Sequence, residues 1–359
     1  MIYYLTIIWL FICSLFYQIS EKKSGFSVLI ILSFLLILIL GGFRFEVGAD
    51  WDSYESIFNS VDNFADVSEG LQEKLFMLFI FLSKSIVNDY SFFILSFFSI
   101  SFIIKFYFFK KYSPNIFVSL IIYFFTVFLI FDLNGIRQGL AISLVFLAIK
   151  PIMNRNLLQF LIIMLIASAI HTSVVVFIPF YWLSRFRFSV KSLTIATIAV
   201  LIFSMPLRYF IENSSLTQYM LTLEMFTHYA EYIGDAEAGR SLSILSIALL
   251  QRLFVFSLFL INFEKIELDE KLKYFLLNSY FLAIVLFLIF SFNAEFAARL
   301  SFYYKSVEII IIPILINSQK QKKFGIMLLL VFFILSLVGT NRILEMPDGG
   351  LLPYKSILW

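Results

Sequence analysis

Residues 26–42 read FSVLIILSFLLILILGG, seventeen positions without a charge. At 1.5 Å per residue a helix of that length covers about 25 Å, close to the ~30 Å hydrocarbon core of a bilayer. The run is continuous, whereas a membrane barrel strand alternates apolar and polar residues over about 10 positions. Comparable runs recur along the whole chain of 359 residues, which is 61% hydrophobic, 19% aromatic and 14% charged, with mean hydropathy +0.94. The sequence therefore specifies an all-α, polytopic membrane protein, read as a single integral membrane domain over residues 1–359. The net charge of +3 is small and comes from short loops. It reports topology and gives no basic patch for nucleic acid.

Working outward from that run, apolar stretches predict about twelve transmembrane helices, near 2–19, 26–42, 91–109, 115–131, 137–149, 157–171, 173–184, 192–211, 241–261, 274–292, 297–316 and 324–340. The first, Ile2 to Ile19, has no basic leader and no small-residue cleavage site, so it reads as a retained span. Cys13, the only cysteine, lies inside it and leaves no thiol for a disulfide within the chain or for a cysteine metal site. Basic residues cluster in alternate connections: Lys22 and Lys23; Lys105, Lys110 and Lys111; Lys150 and Arg155; Arg185, Arg187 and Lys191; Lys265, Lys271 and Lys273; Lys320, Lys322 and Lys323. These hold 16 of the 27 basic residues, so they are assigned to the cytoplasm and both termini to the outside.

Residues 72–88 are apolar enough for one more helix, but a full crossing there would put Lys110 and Lys111 outside. They read instead as a re-entrant or interfacial helix, which implies a cavity, since irregular backbone at membrane depth must face protein or water. The span 137–149 would cover only about 20 Å, which expects either a thinned bilayer or a wet recess at its outer end. Between 157–171 and 173–184 the chain turns at His171-Thr172-Ser173, where Thr172 or Ser173 can cap the next helix. Most of the polar chemistry falls in two outward loops, 43–72 and 212–240, and the outward tail 341–359 ends in an aromatic and basic segment suited to the interface.

Arg137, Arg240 and Arg299 open three predicted helices on that outer side. A cation at a helix start opposes the dipole by about 0.3 to 1 kcal/mol, so an anion belongs there, and several such starts together would suit a diphosphate. Each arginine also has a nearby structural partner: Asp132, Glu237 and Glu295. In the first loop, Arg44 and Asp50 precede a short helix in which Trp51, Tyr54, Phe58 and Val61 share one face, with Asp50 as a possible cap; that helix is expected to lie flat at the interface. Asn134 reads as the cap of the helix that Arg137 and Gln138 enter. His171 and His228 are the only histidines. A neutral imidazole beside anion-binding arginines is a candidate base for a sugar hydroxyl, although a histidine at a helix end is as often structural. Two separated histidines give no metal site. Arg252 and Lys305 lie within spans and require partners there. Walker, dinucleotide and Gly-x-Ser-x-Gly patterns are absent.

Gly42-Phe43-Arg44, Val47 to Asp50 with Tyr54, Asn134 to Gln138 with Ala141, His171-Thr172-Ser173, Ala298 to Ser301 with Tyr303 and Tyr304, and Pro353-Tyr354 occur in an order and spacing that resemble the EpsG-like branch of the Wzy polysaccharide polymerases. The resemblance runs from residue 42 to the end of the sequence. It implies a GT-C-like, multi-pass enzyme of the bacterial inner membrane. Such an enzyme joins undecaprenyl-diphosphate-linked oligosaccharide repeats at the periplasmic face, with no cofactor, and works beside a flippase and a chain-length regulator. On that reading Arg44, Asn134, Gln138, Arg240, Tyr303 and Tyr304 contact the substrate and its diphosphate, Arg137 and Arg299 stabilise the leaving group, and His171 or Asp50 activates the acceptor hydroxyl. A lipid-linked sugar flippase, a polysaccharide acyltransferase and a structural assembly partner are the rival readings.

Overall fold

Polar caps set where the apolar runs begin to coil in this computed structural model, which describes residues 1–212, 214, 215, 219, 246–346 and 349–358. Among the described residues the protein is helical, and one isolated antiparallel bridge, Arg44 with Ser356, stands outside the helices. The chain groups into two compact units. The first comprises Met1–Pro151, Leu158–Thr172 and Ile309–Trp359; the second comprises Ile152–Leu157 and Ser173–Glu308.

The first unit begins with α1 (Ile2–Ile19) and α2 (Ser27–Gly42). Next come α3 (Trp51–Asn59), α4 (Phe64–Glu69) and α5 (Lys74–Ile86). Three longer elements follow: α6 (Tyr90–Tyr112), α7 (Ile116–Tyr123) continuing as a π-helix over Phe124–Asp132, and α8 (Ile136–Met153). Asp89 caps α6 through the Phe92 amide at 2.8 Å, and Asn63 with Asp66 forms a capping box on α4. Gly41 and Gly42 let α2 lie against α6, since a Cβ at Gly41 would sit 2.3 Å from the Phe98 ring. In α3, Trp51, Tyr54 and Phe58 are buried, with Val61 just beyond, which is the face expected from their spacing.

The tail and the first loop hold each other. Phe45 donates to the Lys355 carbonyl at 3.1 Å, Gly48 to Gly350 at 2.8 Å, and Ile357 to Phe43 at 3.1 Å. Gly48 has φ +115° and a Cβ there would meet the Leu133 carbonyl at 2.2 Å, so this turn requires glycine. Helices α9 (Leu157–Ser168), α15 (Glu308–Asn317) and α16 (Lys322–Leu344) supply the rest of the first unit, and Phe11 of α1 stacks on Phe333 of α16 at 3.8 Å.

In the second unit α10 (Phe180–Leu183) follows a 3-10 stretch at Thr172–Phe177, and α11 (Val190–Glu212), α12 (Ile247–Asn262), α13 (Glu270–Ile289) and α14 (Ala294–Lys305) complete it. Helix α13 packs against α11, α12 and α14. The regular helix expected at 173–184 is therefore broken, consistent with the β-branched run Val174-Val175-Val176 and Pro179.

Among the described residues seven helices are long and apolar enough to cross a membrane, or eight if Ala294–Lys305 and Glu308–Asn317 form one span; the apolar helices Ile116–Asp132, Leu157–Ser168, Thr172–Leu183 and Val190–Pro206 are shorter. The span expected to be short at 137–149 is not. Helix α8 runs for 18 residues through Lys150 and Pro151, about 27 Å, which removes the need for a thinned bilayer. Lys105 belongs to α6 and is fully buried, so it is not part of the basic connection that follows.

Candidate functional site

In the first unit, the start of α8 meets the start of α5 and the end of α9. Arg137 is the second residue of α8, where its charge opposes the helix dipole, and the anion expected there is supplied by the chain itself. Arg137 Nη1 donates to Glu73 Oε2 at 2.6 Å and to the Gln72 carboxamide oxygen. The other oxygen of Glu73 accepts the Thr172 amide at 3.0 Å and lies 3.4 Å from Nδ1 of His171. Tyr54 and Phe76 place their rings 5.7 and 5.5 Å from the guanidinium carbon, within cation–π range. One carboxylate thus bridges a guanidinium and an imidazole. Burial acts to raise the Glu73 carboxyl, but His171, the Arg137 charge and the Thr172 amide outweigh it and hold it at about 2. Glu73 remains ionised at any physiological pH.

Beside this cluster in the same unit lies a second, deeper one. Lys105 donates to Asp132 Oδ1 at 2.7 Å, to Ser101 at 2.6 Å and to the Gly139 carbonyl at 2.9 Å, and Tyr123 donates to Asp132 Oδ2 at 2.5 Å. Lys105 and Asp132 have 0 and 1% of their side-chain surface exposed. Asp132 ends the π-helix, whose i→i+5 bonding turns it away from the face an α-helix would give it. Arg44 is buried and donates to the Asp132 carbonyl at 2.9 Å and the Gly41 carbonyl at 3.2 Å, with Trp51 against its guanidinium at 5.9 Å. Asp132, expected as the structural partner of Arg137, instead pairs with Lys105.

The structure separates the remaining site residues. Asn134 does not cap α8: its oxygen takes the Ala49 amide at 2.6 Å and its nitrogen donates to the Leu129 carbonyl at 2.9 Å, so it fastens the first loop to the π-helix. Gln138 is buried at 2% exposure. Asp50 precedes α3 without a side-chain cap bond, and only its carbonyl receives the Tyr54 amide. Arg299 lies in the second unit and donates from Nε to Glu295 at 2.7 Å, the partner anticipated for it. It is the sixth residue of α14, because Asn293 caps that helix at Phe296 and starts it earlier than the apolar run suggests. Helix α12 is described from Ile247, behind Ser246; Arg240, His228 and most of loop 212–240 lie outside the described residues.

Tyr303 and Tyr304 are buried in the second unit. The Tyr303 hydroxyl is 2.8 Å from that of Ser173, and Tyr304 donates to the Val176 carbonyl at 2.7 Å. Arg252 packs on the Phe287 ring at 3.9 Å and Lys305 pairs with buried Glu308, so both intramembrane charges have the partners they require. Among the described residues no three His, Cys, Asp or Glu side chains gather as a metal site. Glu73 is the residue that sequence reasoning missed. Its only signal is the polar triplet Gln72-Glu73-Lys74 at the head of an apolar segment that does not fit the alternating topology.

The helical architecture, with its long apolar helices, defines a multi-pass membrane protein, and its first unit holds a carboxylate–imidazole–guanidinium cluster. The chain belongs to the EpsG family, which it matches over residues 27–356. It is 27% identical over 195 residues to the amylovoran biosynthesis protein AmsC of Erwinia amylovora, a match covering 50% of this chain and 52% of that protein. The chain thus spans about half the length of the curated relative it matches. No solved structure matches it.

Proposed function

We propose that this protein is a membrane glycosyltransferase that polymerises lipid-diphosphate-linked oligosaccharide repeats into a surface polysaccharide at the outer face of the bacterial inner membrane. In this reading all twelve apolar segments cross the bilayer and the carrier is undecaprenyl diphosphate. Family membership and the biosynthetic name of the related protein support the polysaccharide role. The observation that carries the chemistry is the Glu73 carboxylate shared by Arg137 and His171.

A carboxylate at Nδ1 favours the tautomer that keeps its proton there and leaves Nε2 as the basic nitrogen. Nε2 takes the proton of the acceptor hydroxyl as that oxygen attacks the anomeric carbon. The bond from that carbon to the phosphate oxygen breaks, and its electron pair leaves with the diphosphate. Before the step the Arg137 and Glu73 charges cancel. Once His171 carries the proton the cluster is cationic, and Arg137 can follow the developing negative charge on the leaving group. Asp50 lacks a comparable orienting partner, which favours His171 as the base.

The test is the surface polysaccharide made with His171→Ala: a folded, inserted protein that yields one capped repeat and no ladder is expected, and a full ladder rules His171 out as base. A strain lacking the protein separates the rival readings. One capped repeat supports a polymerase, no surface repeat favours a flippase, and normal chains without acyl groups favour an acyltransferase.

A further inference from the structure

The second unit holds a cavity of about 250 Å³, against the roughly 10 to 15 Å³ that one water needs. Three connections that the charge pattern assigns to the cytoplasm meet around it. Arg155 comes from the first, Arg185 and Arg187 from the second, and Glu270, Lys271 and Tyr274 from the start of α13. Four cations therefore face a single carboxylate among the lining residues. That carboxylate, Glu270, already pairs with Arg187 at 2.9 Å. Among the described residues Arg185 and Lys271 form no ion pair.

Arg155 is placed deliberately by the backbone. Its φ of +57° is a conformation that residues with a side chain rarely adopt, and Nη1 donates to the Tyr181 carbonyl and the Ser184 hydroxyl, both at 3.1 Å. These partners are neutral, so they fix the guanidinium without cancelling its charge. Partial burial and then the neighbouring Arg185 charge lower the Arg155 pKa. The segment that supplies Arg185 and Arg187 alternates cation and ring as Arg185-Phe186-Arg187-Phe188, and in it Trp182, Phe186 and Phe188 are exposed at 44, 51 and 40%. Exposed aromatics interleaved with arginines suit the headgroup layer of a membrane.

We propose that this cleft is a binding site for the phosphate of an anionic phospholipid headgroup. Arg155 and Arg185 contact the phosphate, and the exposed aromatics of the adjoining segment lie along the lipid's glycerol and upper acyl region. Guanidinium pairs recognise phosphate oxygens by directed, charge-assisted hydrogen bonds, which a general excess of positive charge does not provide.

The experiment is native mass spectrometry of the full purified chain titrated with phosphatidylglycerol, with phosphatidylcholine and inorganic phosphate as separate arms. The wild type is expected to hold one saturable phosphatidylglycerol in preference to phosphatidylcholine. The double variant Arg155→Ala with Arg185→Ala should bind it about tenfold or more weakly while still unfolding cooperatively, and Arg185→Ala alone, which breaks none of the Arg155 hydrogen bonds, should also weaken binding. The Arg155→Lys, Arg185→Lys variant controls for folding and charge; it should keep a preference for the anionic lipid at reduced affinity. No headgroup preference in the wild type, or equal binding by the alanine variant, overturns the proposal. So does inorganic phosphate that displaces nothing yet binds as tightly as the lipid.

Discussion

Glu73→Gln separates the two jobs of the bridging carboxylate. Glutamine keeps the length of the side chain and an oxygen for the Thr172 amide, but it removes the charge facing Arg137 at 2.6 Å. The two partners are 20 and 16% exposed, between a surface pair worth about 0 to 1 kcal/mol and a buried one whose disruption costs about 3 to 5 kcal/mol. Holding the carboxyl at about 2 instead of its ordinary 4.5 corresponds to at most about 3 kcal/mol at neutral pH, shared among His171, Arg137 and the Thr172 amide. A loss of about 2 to 3 kcal/mol is therefore expected. Because the folded-state value is the depressed one, this stability is complete above about pH 4.5 and disappears as pH falls toward 2. Wild type and Glu73→Gln should differ in melting temperature at pH 7, and the gap should close on acidification, followed by thermal unfolding of the detergent-solubilised chains. Chain elongation at neutral pH should fall by about 100-fold or more if the carboxylate orients a general base, whose contribution is typically about 10² to 10⁴. A gap that does not change with pH refutes the electrostatic assignment, and a wild-type ladder from a folded variant refutes the catalytic one.

Lys105→Met leaves Asp132 as an uncompensated buried charge and should destabilise the protein by about 3 to 5 kcal/mol in thermal unfolding, whereas adding Asp132→Asn should recover most of the loss. An unchanged melting point in the single variant contradicts the pairing. Arg299→Ala removes an i,i+4 pair worth about 0.3 to 0.5 kcal/mol, so a loss of long chains with an unchanged melting point would assign it to substrate, and a normal ladder would leave it structural. Cysteines placed at positions 52 and 321 in a chain lacking Cys13 should label from the outside and the cytoplasm respectively; the reverse accessibility would invert the proposed topology.

Period and spacing carried the local part of this fold. The shared face of Trp51, Tyr54, Phe58 and Val61 follows from helical geometry, and all four are buried. The end of the helix at 137–149 was misjudged because Lys150 and Pro151 look like terminators, although a lysine in the last turn complements the dipole. The pairing of Lys105 with Asp132 was beyond reach for a different reason. It joins two helices 27 residues apart, through a π-helix that changes the periodicity on which face assignment depends. Glu73 was hidden for the same kind of cause: its partners Arg137 and His171 lie 64 and 98 residues away, and nothing local to Gln72-Glu73-Lys74 distinguishes an ion-paired carboxylate from a solvated helix start.

The three arginines that pointed to an anion in the sequence have different physical situations. Arg137 opposes a helix dipole in the first turn of α8, Arg299 stands deeper in α14 beside its own glutamate, and Arg240 lies outside the described residues. For Arg137, the presence of Glu73 changes what a diphosphate would have to do. An incoming anion must compete with a carboxylate already at 2.6 Å, so binding is weaker than at an unpaired arginine, but any shift of the guanidinium toward the diphosphate leaves Glu73 more negative and better able to stabilise a protonated His171. On the proposed function, leaving-group binding and base strength would be coupled through one carboxylate. The coupling makes a specific demand on the variants: Arg137→Ala and Glu73→Gln combined should cost less elongation activity than the product of the two single losses, because each single change already breaks the shared unit.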